Sequence, residues 1–378
     1  MTETADVVIA GAGPVGAVCA LALLRAGYAP RVLEARPAAA VGNDTRTLAL
    51  SHGTRLILER LGVWERLNAL TPITRIHISQ RGGLGTTHLD AVEVGVPALG
   101  YVLGYATLAA ALAAALAEAG IDVRYGTAVE RVLPGTPACV ETADRHTIDA
   151  RLAIIADGGR GASTPALTHD YRQAALVCEV ETELPHRNLA YERFTPEGPA
   201  ALLPHGQRYA LVWTAPPDVA AQLANLSDEQ FLDRLYRHVG GRQGRFLAAT
   251  PRRIFPLTLA LAAGPTLPGV VRIGNAAHTL HPVSGQGFNI GIRDAWELAA
   301  HAGDAPQDLG SRAWLRGYAA GRRSDVLGGA GFTDFLVRVF SNDLGPLRHA
   351  RGLGLMALEV LPPLKAFVAR RMIFGARG

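Results

Sequence analysis

The sequence predicts an α/β protein with three parts: a discontinuous Rossmann-like nucleotide-binding domain, an inserted antiparallel β-sheet domain for the substrate, and a C-terminal helical tail. Three observations predict this architecture. A strand, a glycine-rich turn and a helix follow one another in "DVVIAGAGPVGAVCALALLRAG" at residues 6–27. Between about 170 and 255, apolar and polar residues alternate with a period of two. From "GVVRIGNAAH" at residue 269 the chain returns to strand, loop and helix.

Length and composition favour a folded globular protein of about two domains, with room for a sizeable buried site. The 378 residues are 49% hydrophobic and 19% charged. The net charge of +4, from 37 basic and 33 acidic residues, is too small to indicate a nucleic-acid-binding surface. Cys19, Cys139 and Cys178 lie far apart without metal-ligand spacing. We therefore expect neither a disulfide framework nor a metal site, and a reducing cytoplasm fits.

Residues 7–24 carry no charge, and their length reaches the lower limit for a membrane span. Gly11, Gly13, Pro14 and Gly16 interrupt the first half of this run. Acidic residues precede it, where a signal peptide carries positive charge. The pattern favours a nucleotide-binding turn over a membrane span or a signal peptide.

Each glycine of "GAGPVG" at residues 11–16 has its own structural reason. Gly11 allows the tight turn, Gly13 lets the backbone approach a pyrophosphate, and Gly16 permits close packing of the helix on the strand. The N terminus of the following helix then faces the phosphates. We predict that these glycines, together with Pro14 and Val15, bind a dinucleotide.

Glu34 ends the next strand, "PRVLEA", 18 residues after Gly16, near the spacing expected of an acid that holds an adenosine ribose. Its carboxylate would accept hydrogen bonds from both ribose hydroxyls and repel a 2′-phosphate, so the nucleotide is predicted to be FAD or NAD rather than NADP. Ala35 and Arg36 follow at this end, and Arg36 is either an adenine or phosphate contact or a surface charge. Arg46, at a loop-to-helix junction in "NDTRTLALSHG", has a fork of donors that suits a pyrophosphate.

The middle of the chain first continues the α/β pattern. We predict a hairpin over residues 73–100, a helix over 105–119, strands in "IDVRYG" and "AVERVL", and a buried strand in "RLAIIADGG". Short strands in "ALVCEVETE", "LAYERF", "AALLPH" and "RYALVW" then predict an antiparallel sheet, interrupted by a helix from about Ser227 to Val239. Tyr191, His205 and Trp213 on these strands are candidates to line a substrate pocket, although each could equally face solvent or core.

Three motifs in chain order resemble the FAD-dependent aromatic-ring hydroxylases: "GAGPVG" at 11–16, "ADGG" at 156–159 and "GNAAHTLHPVSGQGFNIGIRDA" at 274–295. The first motif is common, whereas the spacing of the last is specific. Within that family the chain is similar to the hydroxylases of ubiquinone biosynthesis, above all the 2-polyprenyl-6-methoxyphenol hydroxylase branch. The segments that carry this likeness are "DTRTLALS", "RRIFPL", "YAAGRRSD", "FTDFLVRVFSND" and the tail "RGLGLMALEVLPPLKAFVARRMIFG".

The resemblance implies a particular division of the chain. The expected parts are a FAD-binding domain of residues 1–72, 98–168 and 250–335, a β-sheet lid of residues 73–97 and 169–249, and a helical tail of residues 336–378. It also implies that Arg46 contacts the pyrophosphate or the flavin. Asp157 is expected to hold a ribityl or pyrophosphate-proximal group, and Gly158 and Val129 are expected to be further cofactor contacts.

The third motif offers a helix N terminus to the flavin. Backbone N–H groups from Gly285 to Phe288 would point into the loop with a partial positive charge and stabilise the anionic reduced flavin. Gly285 and Gly287 let the backbone lie against a flat ring, and Pro282 fixes the approach. At Asn275 an acid would suit a sugar hydroxyl, but the Asn oxygen can accept the same bond. The predicted cofactor contacts here are Asn275, Pro282, Gly285, Gln286, Gly287, Phe288 and Asn289.

The resemblance implies monooxygenase chemistry: NAD(P)H reduces FAD, O2 adds at the flavin C4a, and the resulting hydroperoxide hydroxylates an electron-rich ring, that of a polyprenyl phenol. No metal is required, and none is predicted. A water-excluding lid would protect the oxygenated flavin. His278 and His281 are candidates for a base that polarises the phenol, with structural polar contacts as the alternative for both.

The tail has apolar residues at helical spacing together with a basic set: Arg348, Arg351, Lys365, Arg370, Arg371 and Arg377. A basic amphipathic helix suits an anionic membrane surface and predicts peripheral attachment to the inner face of a membrane. The alternatives are a helix that packs on the FAD domain and a docking surface for other ubiquinone-biosynthesis proteins.

Two other functions remain open at this level. The first is hydroxylation of a soluble aromatic compound. The second is a non-catalytic FAD-binding subunit of a quinone-synthesis complex. It is motivated by Gly161 and Thr164, which stand where the family often has the Ser and Arg of Asp-Gly-x-x-Ser-x-x-Arg.

Overall fold

The computed structural model of the protein describes residues 3–40, 44–83, 85–159, 165–262, 264, 266–279, 285–340 and 345–375. The strands are β1 Glu3–Ala10, β2 Pro30–Glu34, β3 Thr47–Ser51, β4 Thr71–Ile73, β5 Arg75–Gln80, β6 Thr86–Asp90, β7 Gly100–Gly104, β8 Asp122–Tyr125, β9 Val129–Leu133, β10 Ala138–Thr142, β11 Thr147–Ile155, β12 Pro165–Thr182, β13 Leu189–Phe194, β14 Ala200–His205, β15 Arg208–Ala215, β16 Phe246–Ala249, β17 Arg253–Ala262, β18 Thr266–Leu267, β19 Val270–Arg272 and β20 His278–Thr279. The helices are α1 Pro14–Arg25, α2 His52–Arg60, α3 Ala91–Val94, α4 Tyr105–Glu118, α5 Pro217–Asn225, α6 Asp228–Val239, α7 Gln286–Asp304, α8 Arg312–Phe340, α9 Gly345–Val360 and α10 Pro362–Phe374.

The first sheet, which we call the cofactor sheet, has the strand order β18–β19–β11–β1–β2–β8. Strand β1 lies near its centre and pairs in parallel with β11 and β2, while β8 and β19 extend the parallel part. Val7 and Ile9 of β1 are fully buried, and α1 connects β1 to β2 while packing against α7 and α4. The predicted Rossmann-like βαβ start is therefore confirmed.

The second sheet, which we call the lid sheet, has the order β20–β17–β12–β15–β14–β13–β5–β6, with β16 beside β12. Its strands pair antiparallel except β13 and β5, which run parallel. Helices α5 and α6 cover one face, where Trp213, Leu211 and Tyr209 of β15 pack with Phe231 and Leu235 of α6. The predicted antiparallel insertion is present, but the parallel pair and helix α5 were not predicted.

The opposite face, which we call the inner face of the lid sheet, looks toward the cofactor sheet. Ile76 and Leu203 on this face pack with Val102 of a small sheet of order β3–β7–β4. Arg253 of β17 donates to the hydroxyl of Thr45, just before β3. The small sheet therefore lies between the lid sheet and the nucleotide-binding part.

The tail helices join both parts of the molecule. Helix α9 packs on β6, where the Glu359 carboxylate accepts from the Thr87 hydroxyl and the His88 backbone N–H at 2.9 Å each. Helix α10 packs against α2 and α3, and its Lys365 ammonium lies 3.1 Å from the Glu93 carboxylate. The tail therefore does pack on the rest of the protein through one of its faces.

Some boundaries differ from the expected division of the chain. Strand β17 was placed in the FAD-binding domain, but it pairs with β12 in the lid sheet. Period-two alternation identifies a strand without telling which sheet receives it. Helix α8 runs continuously across the boundary expected between residues 335 and 336. The division into domains otherwise remains a prediction.

Within the described part of the chain, no single helix is long and apolar enough to cross a bilayer. Residues His349–Val360 of α9 and the whole of α10 meet the length and composition required only when taken together, and they are bent by 98°.

Candidate active site

The turn between β1 and α1 is shaped by glycines that have different neighbours. Gly11 has φ of +108°, and a Cβ there would lie 2.6 Å from the carbonyl oxygen of Ala156. A Cβ on Gly16 would lie 2.0 Å from the carbonyl oxygen of Gly11, so packing alone requires both glycines. Gly13 is the N-cap residue of α1, and a Cβ there would have only the Tyr105 hydroxyl nearby, at 3.8 Å. The space at Gly13 is therefore open to a ligand.

Glu34, at the end of β2, turns its carboxylate toward this turn and is 5% exposed. It accepts from the Ala12 backbone N–H at 2.8 Å, and from the backbone N–H and Nε of Arg36 at 3.0 and 2.8 Å. Burial acts to raise the pKa of Glu34, but the hydrogen bonds from Arg36 and Ala12 outweigh it and hold the pKa below its usual value. The carboxylate stays charged and keeps acceptor capacity for a ribose.

Arg46 is held by its neighbour Asp44. Its Nε donates to both Asp44 carboxylate oxygens at 3.0 and 2.9 Å, and its guanidinium lies over the Tyr105 ring at 5.1 Å from the centroid. The structure thus places Arg46 beside the residue that faces Gly13. Asp44 accepts from Nε and Nη2 of this guanidinium, and contact between Arg46 and a pyrophosphate or flavin stays a prediction.

Three segments meet at the carboxyl edge of the cofactor sheet, because β1, β11 and β19 run parallel. A Cβ on Gly159 would lie 3.1 Å from the carbonyl oxygen of Asn275, which brings the loops after β11 and β19 together. Asp157 accepts from the Gly159 N–H at 2.8 Å, and Gly158 has φ of +74°. The Asn275 side chain is exposed beside them. Open parallel sheets bind their ligands at this edge.

Helix α7 begins at Gly285, which has φ of +61° and supplies no side-chain cap. Asn289 fixes this helix start: its Nδ2 donates to the carbonyls of Ala49 and Gly285 at 3.0 and 2.8 Å, and its Oδ1 accepts from the Ser51 N–H and the Thr54 hydroxyl at 2.8 and 2.7 Å. The amide has therefore used its hydrogen-bonding capacity. The side chain of Asn289 therefore holds the start of α7 against β3 and α2, and contact between Asn289 and the cofactor stays a prediction.

The remaining residues that were predicted to contact the cofactor lie in different parts of the fold. Gln286 is buried and donates from Nε2 to the Met372 carbonyl at 3.1 Å, which ties α7 to α10. Phe288 packs its side chain on the core of the cofactor sheet. Val129 begins β9 and packs against the apolar cluster that contains Leu33. Pro14 and Val15 are the first two residues of α1, Ala35 directly follows β2, and Gly287 is the second residue of α7.

His278 lies in a buried ionic network rather than at a surface of the site. Its Nε2 is 2.6 Å from the Asp294 carboxylate, which also accepts from the Gly274 N–H at 3.0 Å and from Arg322 Nε at 2.9 Å. Tyr318 donates to the Asp294 carbonyl. Because His278 is 3% exposed and engaged by a carboxylate, the structure corrects its assignment as a catalytic base and favours the structural alternative. His281 and Pro282 lie outside the described residues.

The lid residues fall on two faces. Trp213 is fully buried 4.3 Å from the His238 ring on the helix-covered face, and Tyr191 belongs to the same buried cluster. The prediction that these two line the pocket is therefore wrong, because alternation gives two faces without showing which one α5 and α6 cover. His205 lies on the inner face, paired through Nδ1 with the Glu179 carboxylate at 2.7 Å.

Sequence reasoning missed Glu192. It is next to Tyr191 in β13 and therefore points to the inner face, opposite Ala201 of β14 and Ile78 of β5. The signal that could have found Glu192 is a charged residue at a strand position where the alternation predicts an apolar one. Because Tyr191 faces α5 and α6, its neighbour Glu192 faces the inner face of the lid sheet.

A cavity of about 80 Å³ lies between the inner face and the start of α7. Ile76 and Leu89 of the lid sheet, Gln286 and Asn289 of α7, and Met372 of α10 are among its lining residues. The cavity is apolar on the lid side and polar at the helix start. It connects the tail, the lid and the predicted flavin loop in one place.

These residues fit a dinucleotide such as FAD. The space at Gly13, the N terminus of α1 and the ionised Glu34 suit a pyrophosphate and an adenosine ribose. The start of α7 presents a second helix N terminus next to the cavity. Within the described residues, no group of three or more His, Cys, Asp or Glu side chains could hold a metal ion.

Comparison with known proteins shows the family of the chain. The family described as "FAD binding domain" matches residues 4–326. The chain is 36% identical to "Ubiquinone hydroxylase UbiL" of Rhodospirillum rubrum over 97% of this chain and 89% of that protein. It is 32% identical to "3-demethoxyubiquinol 3-hydroxylase" of Escherichia coli over 96% of this chain and 97% of that protein.

Solved structures share the fold at lower identity. The p-nitrophenol 4-monooxygenase PnpA of Pseudomonas putida aligns over 100% of both chains with a TM-score of 0.80 and 17% identity. PqsL of Pseudomonas aeruginosa, solved with 2-aminobenzoylacetate, covers 94% of this chain and 100% of its own with a TM-score of 0.79 and 20% identity. These similarities show that the lid sheet and the cofactor sheet have the arrangement of known structures.

Proposed function

Since this chain belongs to the FAD-binding-domain family and is a FAD-dependent aromatic monooxygenase similar to ubiquinone hydroxylases, we propose that it hydroxylates the ring of a polyprenyl phenol in ubiquinone biosynthesis. FAD is the cofactor, and NAD(P)H is the reductant typical of the family.

One observation carries the proposal: the likeness to ubiquinone hydroxylases extends over 97% of the chain, including the tail, and the tail lines the cavity at the predicted flavin loop. Met372 and Ile373 of α10 border that cavity. Because the tail lies within the aligned part of the chain and also lines this cavity, it supports a substrate shared with those relatives.

The FAD supplies the chemistry, which is activation of O2 and transfer of one oxygen atom to the ring. The chain supplies position and environment. Glu34 and the first turn of α1 would hold the ribose and the pyrophosphate, and the N terminus of α7 would favour negative charge on the reduced ring system. Apolar inner-face residues such as Ile76 and Leu203 keep water from the site.

The proposed lipid substrate also accounts for the outer surface of the tail. Six large apolar side chains of α9, α10 and the residue between them are exposed: Leu353, Met356, Val360, Leu361, Leu364 and Phe367. Soluble surfaces rarely expose a contiguous apolar patch of this kind without a partner. We propose that this patch, with exposed Arg370 beside it, inserts into the surface of an anionic membrane from which the substrate is taken.

The function is tested by deleting the gene and analysing the lipids of the strain. Accumulation of a prenylated phenol together with loss of ubiquinone supports the proposal, and purified FAD-loaded protein should oxidise NAD(P)H faster when that phenol is added. Normal ubiquinone with loss of growth on a soluble aromatic compound would favour the other hydroxylase function. No phenol-stimulated NAD(P)H oxidation, even with extracts of the host present, would favour a non-catalytic subunit.

A further inference from the structure

Glu192 is a carboxylate in an apolar part of the inner face. In β13 it pairs across to Ala201 of β14 and Ile78 of β5. The next inner-face position of β5, two residues earlier, is Ile76, which lines the cavity at α7. Because strands rise about 3.3 Å per residue and lie about 4.8 Å apart, Glu192 begins within roughly 8 Å of the cavity wall.

Within the described residues, the Glu192 carboxylate has neither a hydrogen bond nor an ion pair. Burial alone raises its pKa to about 7. The residue nevertheless keeps part of its surface accessible. The side chain is therefore not fully enclosed by the sheet and its neighbours.

The other charged groups of the inner face and of the helix packed on it already have partners. Glu179 is paired with His205 at 2.7 Å, and Arg253 donates to Thr45. Glu359 of α9 accepts from Thr87 and lies 3.5 Å from Lys365. Uncompensated burial of a carboxylate is costly, and a folded protein keeps such a group where a ligand supplies the missing partner.

We infer that Glu192 binds the hydroxyl group of the phenol substrate and accepts its proton. The inference rests on the proposed function and deepens it. In this step the phenol O–H bond breaks, a Glu192 oxygen gains the proton, and the negative charge passes to the phenolate oxygen. The charge makes the ring carbons ortho and para to that oxygen more electron-rich, which is what an electrophilic oxygen transfer needs.

The assignment also provides a base in place of His278. His278 is committed to Asp294 in a buried network. Glu192 lies on the inner face of the lid sheet, on strand β13, which is hydrogen-bonded to β14 on one side and to β5 on the other. Sites on such elements position a reacting group more precisely than sites on loops.

The test uses full-length FAD-loaded enzyme and a phenol that carries a ten-carbon prenyl chain. Hydroxylated product and hydrogen peroxide are measured per NAD(P)H consumed, across a range of pH. Glu192→Gln should retain FAD and phenol-stimulated NAD(P)H oxidation, but lose about 100-fold in hydroxylation, with peroxide replacing the product. Glu192→Asp should recover part of the product yield. The remaining product formation of Glu192→Gln should rise with pH as the free phenol ionises.

Glu181→Gln is the matched control, because Glu181 lies on the lid sheet near Arg208 with 46% of its side chain exposed. It should behave as wild type. Wild-type yield and pH dependence in Glu192→Gln would overturn the inference while the proposed function stands. If wild-type enzyme hydroxylates no prenyl phenol, the proposed function fails and the role of Glu192 fails with it. Melting temperatures show whether each variant is folded.

Discussion

At the scale of single residues, Gly13 separates cofactor binding from folding. A methyl group at Gly13 meets only the Tyr105 hydroxyl at 3.8 Å, whereas at Gly11 it would meet the Ala156 carbonyl oxygen at 2.6 Å. Gly13→Ala should therefore keep the melting temperature of the apoprotein but weaken FAD binding by tenfold or more, because the pyrophosphate needs the open space. Gly11→Ala should lower both the melting temperature of the apoprotein and its affinity for FAD. Calorimetry of apoprotein and fluorescence titration with FAD measure the two effects; unchanged FAD affinity in Gly13→Ala would remove Gly13 from the site.

Residues of the site differ in how far sequence could identify them. Gly11, Gly16 and Glu34 follow from motif spacing, because their roles depend on backbone geometry a few residues away. Glu192 and Asp294 do not, since their surroundings come from strands and helices distant in the chain. The motif predicts that Asn289 belongs to the cofactor site, but it gives no sign of the partners of its side chain on β3 and α2, which lie more than two hundred positions earlier.

At the scale of elements, the network around Asp294 fixes the segment after β19 onto α7 and α8. Burial acts to raise the pKa of Asp294, but His278, Arg322 and the Gly274 N–H outweigh it and lower the pKa. An unfolded Asp has a pKa of about 3.9, so the unfolded chain binds more protons in acid and this carboxylate stabilises the fold above that pH. The stabilisation is lost as pH falls through the lower folded pKa.

Asp294→Asn should therefore destabilise the protein at neutral pH by roughly 3 kcal/mol, because it leaves Arg322 and His278 without their shared carboxylate. The difference from wild type should shrink in acid. Urea unfolding at several pH values measures it. Asp304→Asn at the exposed end of α7 is the control and should change stability little. An equal loss at every pH would show that the carboxylate charge is not what matters.

The strands of the lid sheet show what the alternation of apolar and polar residues can and cannot predict. Alternation predicted the strands of the lid correctly, but Trp213 and Tyr191 face α5 and α6 rather than the site. Which face a helix covers depends on packing between distant segments. The parallel pairing of β13 with β5, which lie over a hundred residues apart, has the same cause and carries no local signal.

At the scale of the whole molecule, α10 lies between the outside and the site. Leu364 and Phe367 are 42% and 64% exposed, while Ala369 and Met372 of the same helix line the cavity. A prenyl chain leaving a membrane beside this helix would lie one helix away from the cavity. This arrangement links the proposed substrate to the proposed surface, and either can be tested without the other.

The surface is tested with vesicles of phosphatidylglycerol and phosphatidylethanolamine. Burying one large apolar side chain contributes about 1.5–3 kcal/mol, so Leu364→Glu with Phe367→Glu should reduce co-sedimentation with the vesicles by at least about tenfold. Leu247→Glu, on strand β16 and 55% exposed, introduces the same charge away from the tail and should sediment like wild type. The double variant should still hydroxylate a detergent-dispersed prenyl phenol, because its substitutions lie on the outer face of α10. Equal sedimentation of the double variant and wild type would show that the apolar patch does not bind the membrane.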